Sequence, residues 1–198
     1  MTTTSTARAE SRGFAASDLA YVAVFAALIA ALSLVPAIPV GGLGVPITLQ
    51  TLAISLTALI IGPWKGAAAV ALYIAAGAAG LPVFANGKAG VGVLLNVSGG
   101  YLISFILYVI VVGLAARWIL RGGLAKLTGL WLLLALVAAR LVVIWPIGVA
   151  GMVRAGGLSW GAGFAADVAF WPGDLLKSIV AVAVALVVYR AFPALLRR

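Results

Sequence analysis

Uninterrupted apolar runs of about 20 residues constrain the fold of this chain more than any other feature. A run of that length spans the ~30 Å hydrocarbon core of a bilayer as an α-helix, which satisfies its own backbone hydrogen bonds there. The 198 residues are 65% hydrophobic and 9% charged, whereas soluble domains have about 45–50% and about 25%. The runs do not alternate residue by residue, which disfavours a transmembrane β-barrel. We therefore expect an all-α membrane protein.

Six apolar segments predict six transmembrane helices, at residues 18–35, 46–61, 66–80, 99–120, 128–149 and 172–191. They form one predicted domain, 18–198, after a Thr/Ser/Ala-rich segment, 1–17, that we expect to be a disordered cytoplasmic tail. The alternative is a secretory signal peptide, with a weak cleavage context at Val35, Pro36 and Ala37. With the N-terminus inside, nine of the thirteen Lys and Arg residues fall in inner segments and two in outer ones. That bias predicts an N-in, C-in, multi-pass protein of the bacterial cell membrane.

The polar inventory excludes several chemistries. The chain has no His and no Cys, and its four acids are Glu10, Asp18, Asp167 and Asp174. Zinc, haem and iron–sulfur sites, like Cys–His or Ser–His–Asp catalysis, need residues that are missing, so we expect no metal, cofactor or enzyme activity. The net charge of +9 is better explained by basic inner loops beside anionic lipid than by nucleic acid. Without a Walker A motif, active transport would draw energy from another chain or an ion gradient.

Three predicted outer connections, 36–45, 81–98 and 150–171, are apolar yet rich in glycine. Irregular backbone at membrane depth survives only where protein or a water-filled cavity satisfies it. We therefore expect these loops to fold over the outer mouth of the bundle as a lid. The alternative is that they are plain linkers.

Asp174 and Lys177 form the strongest candidate site. Pro172 suits the first turn of a helix, where the helix dipole also favours the carboxylate of Asp174. Lys177 follows at i+3 on the same face and points back toward the outer mouth. A carboxylate, an ammonium and a positive helix end suit a small ligand that has both an amide-like group and a carboxylate. The alternative is an internal pair that only neutralises itself.

Three further polar residues are candidates for ligand contact. Gln50 lies at the outer start of the second predicted helix, and Asn86 lies in the second outer connection, where it can donate and accept. Tyr101, at the outer start of the fourth helix, either packs against a ligand or belongs to the interfacial aromatic belt.

Arg140 falls within the fifth predicted helix, where an ionisable residue is costly and usually functional. A buried Arg needs a partner, and Asp174 and Asp167 are the available acids. Alternatively, Arg140 extends to the lipid headgroups.

Small residues recur at a spacing of four on the first helix, at Ala23, Ala27 and Ala31. This pattern lets helices approach closely, and it marks the first helix as a possible docking face for another membrane protein.

Four motifs occur in order along the chain: VPITLQT at 45–51, GAAGLPVF at 77–84, GGY at 99–101 and PGDLLK at 172–177. Together they resemble the BioY family, the biotin-specific S components of energy-coupling factor (ECF) vitamin transporters, over about residues 18–190. Two positions depart from the family pattern. Asn96, Val97 and Ser98 precede the GGY motif where relatives have Gly-Pro-[ST], and Arg140 stands where a neutral polar residue is more common.

The resemblance implies six transmembrane helices, N-in and C-in, around a biotin pocket that is closed by the loop after the first helix. It also implies association with a transmembrane T component, which would meet the Ala23, Ala27 and Ala31 face, and with two ATPase subunits. The pocket residues it implies are Asp174 and Lys177, then Gln50, Asn86 and Tyr101. Two alternatives remain: an S component for another vitamin or a biotin analogue, and a non-transport membrane subunit.

Overall fold

A computed structural model describes residues 16–36 and 45–197, and the regular elements in these ranges are helices. The nine α-helices within them are α1 (Ala16–Leu34), α2 (Gln50–Ile61), α3 (Pro63–Ala78), α4 (Gly92–Leu95), α5 (Gly99–Leu120), α6 (Thr128–Ala139), α7 (Trp145–Gly156), α8 (Trp160–Val168) and α9 (Trp171–Ala191). The expectation of an all-α protein is confirmed. Four stretches are long and apolar enough to cross a membrane: Ala16–Leu34, Gly99–Leu120, Thr128–Gly156 and Trp171–Ala191.

The short helix α2 lies inside the bundle, packed against α1, α3, α5 and α9. Nine of its twelve residues are buried. It begins at Gln50, so the predicted start at residue 46 was wrong. The segment 45–49 is not helical because tertiary contacts hold it: it lines a cavity, and the carbonyl oxygen of Thr48 accepts a hydrogen bond from Lys177.

A long helical unit replaces most of the third predicted lid segment. The helix predicted to end at residue 149 continues to Gly156, through a π-helical turn at Arg140–Ile144, and α8 follows it. Gly151 is a packing residue here: a β-carbon on Gly100 of α5 would lie 3.0 Å from the Gly151 Cα. The irregular lid expected at 150–171 was therefore wrong, because glycine serves helix crossing at this position.

One end of the bundle collects the starts of α2, α5 and α9, and we call it the cavity end. The second predicted lid segment, 81–98, lies at this end and contains a 3₁₀ turn, Ala85–Gly87, and the short α4. Most of the first lid segment, 37–44, and most of the predicted tail, 1–15, lie outside the described residues. Ala16 and Ser17, assigned to the tail, already belong to α1.

Candidate functional site

A cavity opens at the cavity end, with about 720 Å³ of unfilled space including its mouth. The walls come from the segment before α2, the first turns of α2, α5 and α9, and the loop between α3 and α4. The lining is mostly apolar, and its polar side chains are those of Thr48, Gln50, Thr51, Lys88, Ser98, Tyr101, Asp174 and Lys177.

The predicted pair of Asp174 and Lys177 lies in the cavity wall, with both side chains 11% exposed. Lys177 Nζ donates to Asp174 Oδ1 over 2.8 Å and to the Thr48 carbonyl oxygen over 2.9 Å. Thr51 Oγ1 also donates to Asp174 Oδ1, over 3.0 Å. The pair therefore ties α9 to the start of α2, and one of the three N–H groups of Lys177 has no acceptor among the described residues.

Arg140 lies behind Asp174, in the π-helical turn, and does not line the cavity. Its Nε donates to Asp174 Oδ2 over 3.1 Å, and its Nη2 lies 2.8 Å from Asp167 Oδ2. Arg140 is thus buried and paired with both acids that the sequence offered, and it does not extend to the headgroups. It also stands over the ring of Trp171, with Cζ 5.8 Å from the ring centroid.

Asp167 belongs to the site, although the sequence predicted it only as a possible partner for Arg140. Its side chain is fully buried on α8. Oδ1 accepts from the Tyr101 hydroxyl over 2.7 Å, and Oδ2 accepts from Trp171 Nε1 over 2.8 Å. Two acids and two bases make the cluster formally neutral, which limits the penalty of burying it. The signal that could have revealed Asp167 is the scarcity of acids in so apolar a chain.

Tyr101 lines the cavity with its ring, while its hydroxyl is bound to Asp167. The ring packs edge-on against Phe170, at 6.0 Å between centroids, and lies against Gly148. A β-carbon at Gly148 would be 2.4 Å from the Tyr101 ring, so glycine there makes room for it. Tyr101 is accordingly a wall of the cavity, and its hydroxyl serves the buried cluster.

Gln50 lines the cavity, and its Nε2 donates to the Tyr73 hydroxyl over 2.9 Å. Tyr73 in turn shares a 3.0 Å hydrogen bond with Ser33 of α1. Asn86 is exposed, adopts φ 60°, and does not line the cavity, although the adjacent Ala85 does. The structure thus brings four predicted residues into one wall and leaves Asn86 beside it.

The predicted docking residues Ala23, Ala27 and Ala31 are all exposed on one face of α1. The opposite face of that helix, with Val22, Ala26 and Ile29, is buried against the bundle. The small residues are therefore open to contact from another helix.

Fold and cavity together define a class: an all-helical membrane protein with a mostly apolar cavity at one end of the bundle. Within that class the chain belongs to the BioY family, whose family model matches residues 2–194. It is 32% identical over 179 residues to the biotin transporter BioY of Rhizobium etli, covering 90% of this chain and 96% of that one. It is 37% identical over 172 residues to the biotin transporter BioY of Rhodobacter capsulatus, covering 82% and 88%.

The fold is also that of a solved structure, the S-component for biotin from an ECF-type ABC transporter. The two superpose with a TM-score of 0.81 at 24% sequence identity, over 88% of this chain and 91% of that chain. At that identity the likeness concerns the fold.

Proposed function

We propose that this chain binds biotin as the substrate-binding S component of an ECF-type ABC transporter and serves its uptake across the cell membrane. The observation that carries this is the largely buried ion pair of Asp174 and Lys177 in the wall of the cavity. Relatives in the same family are named biotin transporters. The chain is a transport subunit without enzymatic activity, so energy comes from separate ATPase subunits.

Biotin carries two groups that match this wall. Its carboxylate lies toward the free N–H of Lys177 and the start of α9, where the helix dipole favours an anion. Its ureido N–H groups face the remaining acceptor position of Asp174, or Asn86 if the loop carries that residue inward. The fused rings pack on Phe84, Tyr101 and Phe170, all of which line the cavity.

The arrangement in the membrane is part of the proposal. Six spans run N-in and C-in across the bacterial cell membrane, with the cavity end outside and the residues before α1 as a cytoplasmic tail. The exposed face of Ala23, Ala27 and Ala31 meets a transmembrane T component, which joins two ATPase subunits to the complex. The rest of this chain's surface contacts the lipid bilayer, and the chain does not bind nucleic acid.

Radiolabelled biotin binding to the purified chain tests the assignment. We expect saturable binding to the wild type and weakened binding to Asp174→Asn, with both proteins eluting as folded species. Lys65→Ala is the matched control, because Lys65 pairs with Asp18 at the opposite end of the bundle. No binding at micromolar biotin would end the biotin assignment, and unchanged affinity of Asp174→Asn would move the site elsewhere.

A second candidate, an S component for another vitamin or a biotin analogue, is favoured by one observation. Arg140 places a second cation behind the cavity wall and bonds directly to Asp174. A competition panel, in which other vitamins displace labelled biotin, separates the two. A vitamin that displaces biotin at lower concentration than unlabelled biotin would favour this second function.

A further inference from the structure

The guanidinium of Arg140 is divided between two carboxylates. Arginine commonly grips a single carboxylate with two parallel N–H groups. Here Nε donates to Asp174 Oδ2 over 3.1 Å, while Nη2 lies 2.8 Å from Asp167 Oδ2. The Nη2 contact is an ion contact without the alignment of a hydrogen bond, and Nη1 has no hydrogen-bond partner among the described residues. Arg140 therefore makes one hydrogen bond to Asp174 and not the bidentate pair.

An acceptor count shows what this division leaves free on Asp174. A carboxylate offers about four acceptor positions, two on each oxygen. Oδ1 takes hydrogen bonds from Thr51 and Lys177, and Oδ2 takes one from Arg140 Nε. One position on Oδ2 remains. If Arg140 made a bidentate contact to Asp174, its second N–H group would be a fourth donor. Together with Thr51, Lys177 and Nε it would fill all of the roughly four acceptor positions.

Asp167 prevents Arg140 from making a bidentate contact to Asp174. It is fully buried and held in place by the hydroxyl of Tyr101 and by Nε1 of Trp171, from two other helices. Its charge draws Nη2 away from Asp174. With Lys177 and Arg140 against two carboxylates the cluster is neutral, so no uncompensated charge drives the guanidinium to rearrange.

We propose that Asp167 is a positioning residue that sets ligand specificity: by holding Arg140 Nη2, it keeps one acceptor position of Asp174 open for an N–H group of the ligand. This rests on the proposed function, because the ligand N–H groups are taken to be those of biotin. Asp167 itself does not line the cavity and acts through Arg140.

Binding measurements with three ligands and three proteins test the proposal. The ligands are biotin and its two ring N-methyl analogues, each lacking one N–H donor. The proteins are the wild type, Asp167→Asn, and Asp167→Asn combined with Arg140→Gln. The wild type should prefer biotin over one analogue by about tenfold or more, the effect of a hydrogen bond to a charged group. In Asp167→Asn, biotin affinity should fall about tenfold and the preference should shrink toward one, because Arg140 then occupies Asp174.

The double variant distinguishes positioning from structural support. It restores a neutral cluster and removes the guanidinium, so both biotin affinity and the preference for biotin should largely return. An equal loss of affinity for all three ligands in Asp167→Asn would overturn the proposal. If that variant fails to fold, a folded double variant without the wild-type preference would overturn it.

Ligand binding to the wild type alone separates the role of Asp167 from the proposed function. Biotin binding with no preference over either N-methyl analogue overturns the role of Asp167 and leaves the proposed function intact. Absence of biotin binding to the wild type overturns both.

Discussion

The ammonium of Lys177 donates a 2.9 Å hydrogen bond to the backbone carbonyl oxygen of Thr48, linking α9 to the segment that precedes α2. A second donor of the same ammonium is bound to Asp174. Lys177 therefore shapes the cavity wall through two fixed bonds and offers a third N–H to whatever enters.

We predict that Lys177→Ala lowers biotin affinity about 10- to 100-fold, because a charge-assisted hydrogen bond to the carboxylate is lost. With biotinamide, which is neutral at that end, the same substitution should cost about threefold or less. Equilibrium binding of both ligands measures the difference, and thermal unfolding verifies that the variant is folded. Equal losses for the two ligands would place the carboxylate away from Lys177.

Gly148→Ala should distort the cavity wall. The added β-carbon would lie 2.4 Å from the Tyr101 ring, so the ring must shift and its bond to Asp167 weaken. We expect a loss of about 1–3 kcal/mol in the free energy of unfolding, together with weaker biotin binding.

Gly161→Ala on α8 is the matched control for Gly148→Ala, since no atom of residues 16–36 or 45–197 lies within 4 Å of its added β-carbon. It should leave biotin affinity unchanged and stability equal or slightly higher, because alanine favours helix. Thermal unfolding in detergent and biotin binding report on both variants. A Gly148→Ala protein with normal affinity would argue that the Tyr101 ring has no part in the wall.

Tyr73→Phe and Tyr108→Phe each remove a buried hydroxyl, but only the first of these hydroxyls bonds to a residue of the cavity wall. Tyr73 bonds to Gln50, which lines the cavity, whereas Tyr108 bonds to Ser55, which does not. Both should lower the free energy of unfolding, by about 1 kcal/mol per lost bond. Only Tyr73→Phe should also weaken biotin binding, about two- to tenfold, because it releases the amide of Gln50. Affinity losses of equal size in the two variants would contradict the role of Gln50.

The orientation of the bundle can be tested by cysteine labelling, since the chain has no native cysteine. Lys88 lies exposed at the cavity end, and Arg121 lies exposed at the opposite end of α5. In intact cells, a membrane-impermeant maleimide should label Lys88→Cys and leave Arg121→Cys unlabelled until the cells are permeabilised. The reverse pattern would invert the proposed orientation.

Apolar run length was enough to predict where the six longest helical segments lie, because burial in lipid requires a continuous apolar stretch. It was not enough to predict the end of the fifth segment, since glycine occurs at helix crossings in membranes as well as in loops. Gly151 looked like part of a lid and instead lets α7 approach Gly100. Only the position of the neighbouring helix distinguishes the two roles.

Only the part of the candidate site that lies on one helix was predictable from the sequence. Asp174 and Lys177 lie three residues apart on one helix, so their proximity follows from helical geometry. The partnership of Arg140 with Asp167 spans separate elements, and the residues around it carry no periodic signal. The number of acids narrowed the choice of partner to two, and the fold uses both.

The twelve residues of α2 make a helix about 18 Å long, well short of the ~30 Å hydrocarbon core of a bilayer. Gln50 and Thr51 at the start of this helix line the cavity, together with the non-helical residues Val45–Thr48 that precede it. The cavity therefore borders the start of a central helix that is too short to cross the bilayer as a helix. Added or deleted turns at the start of α2 would change how deep in the bundle a ligand can bind.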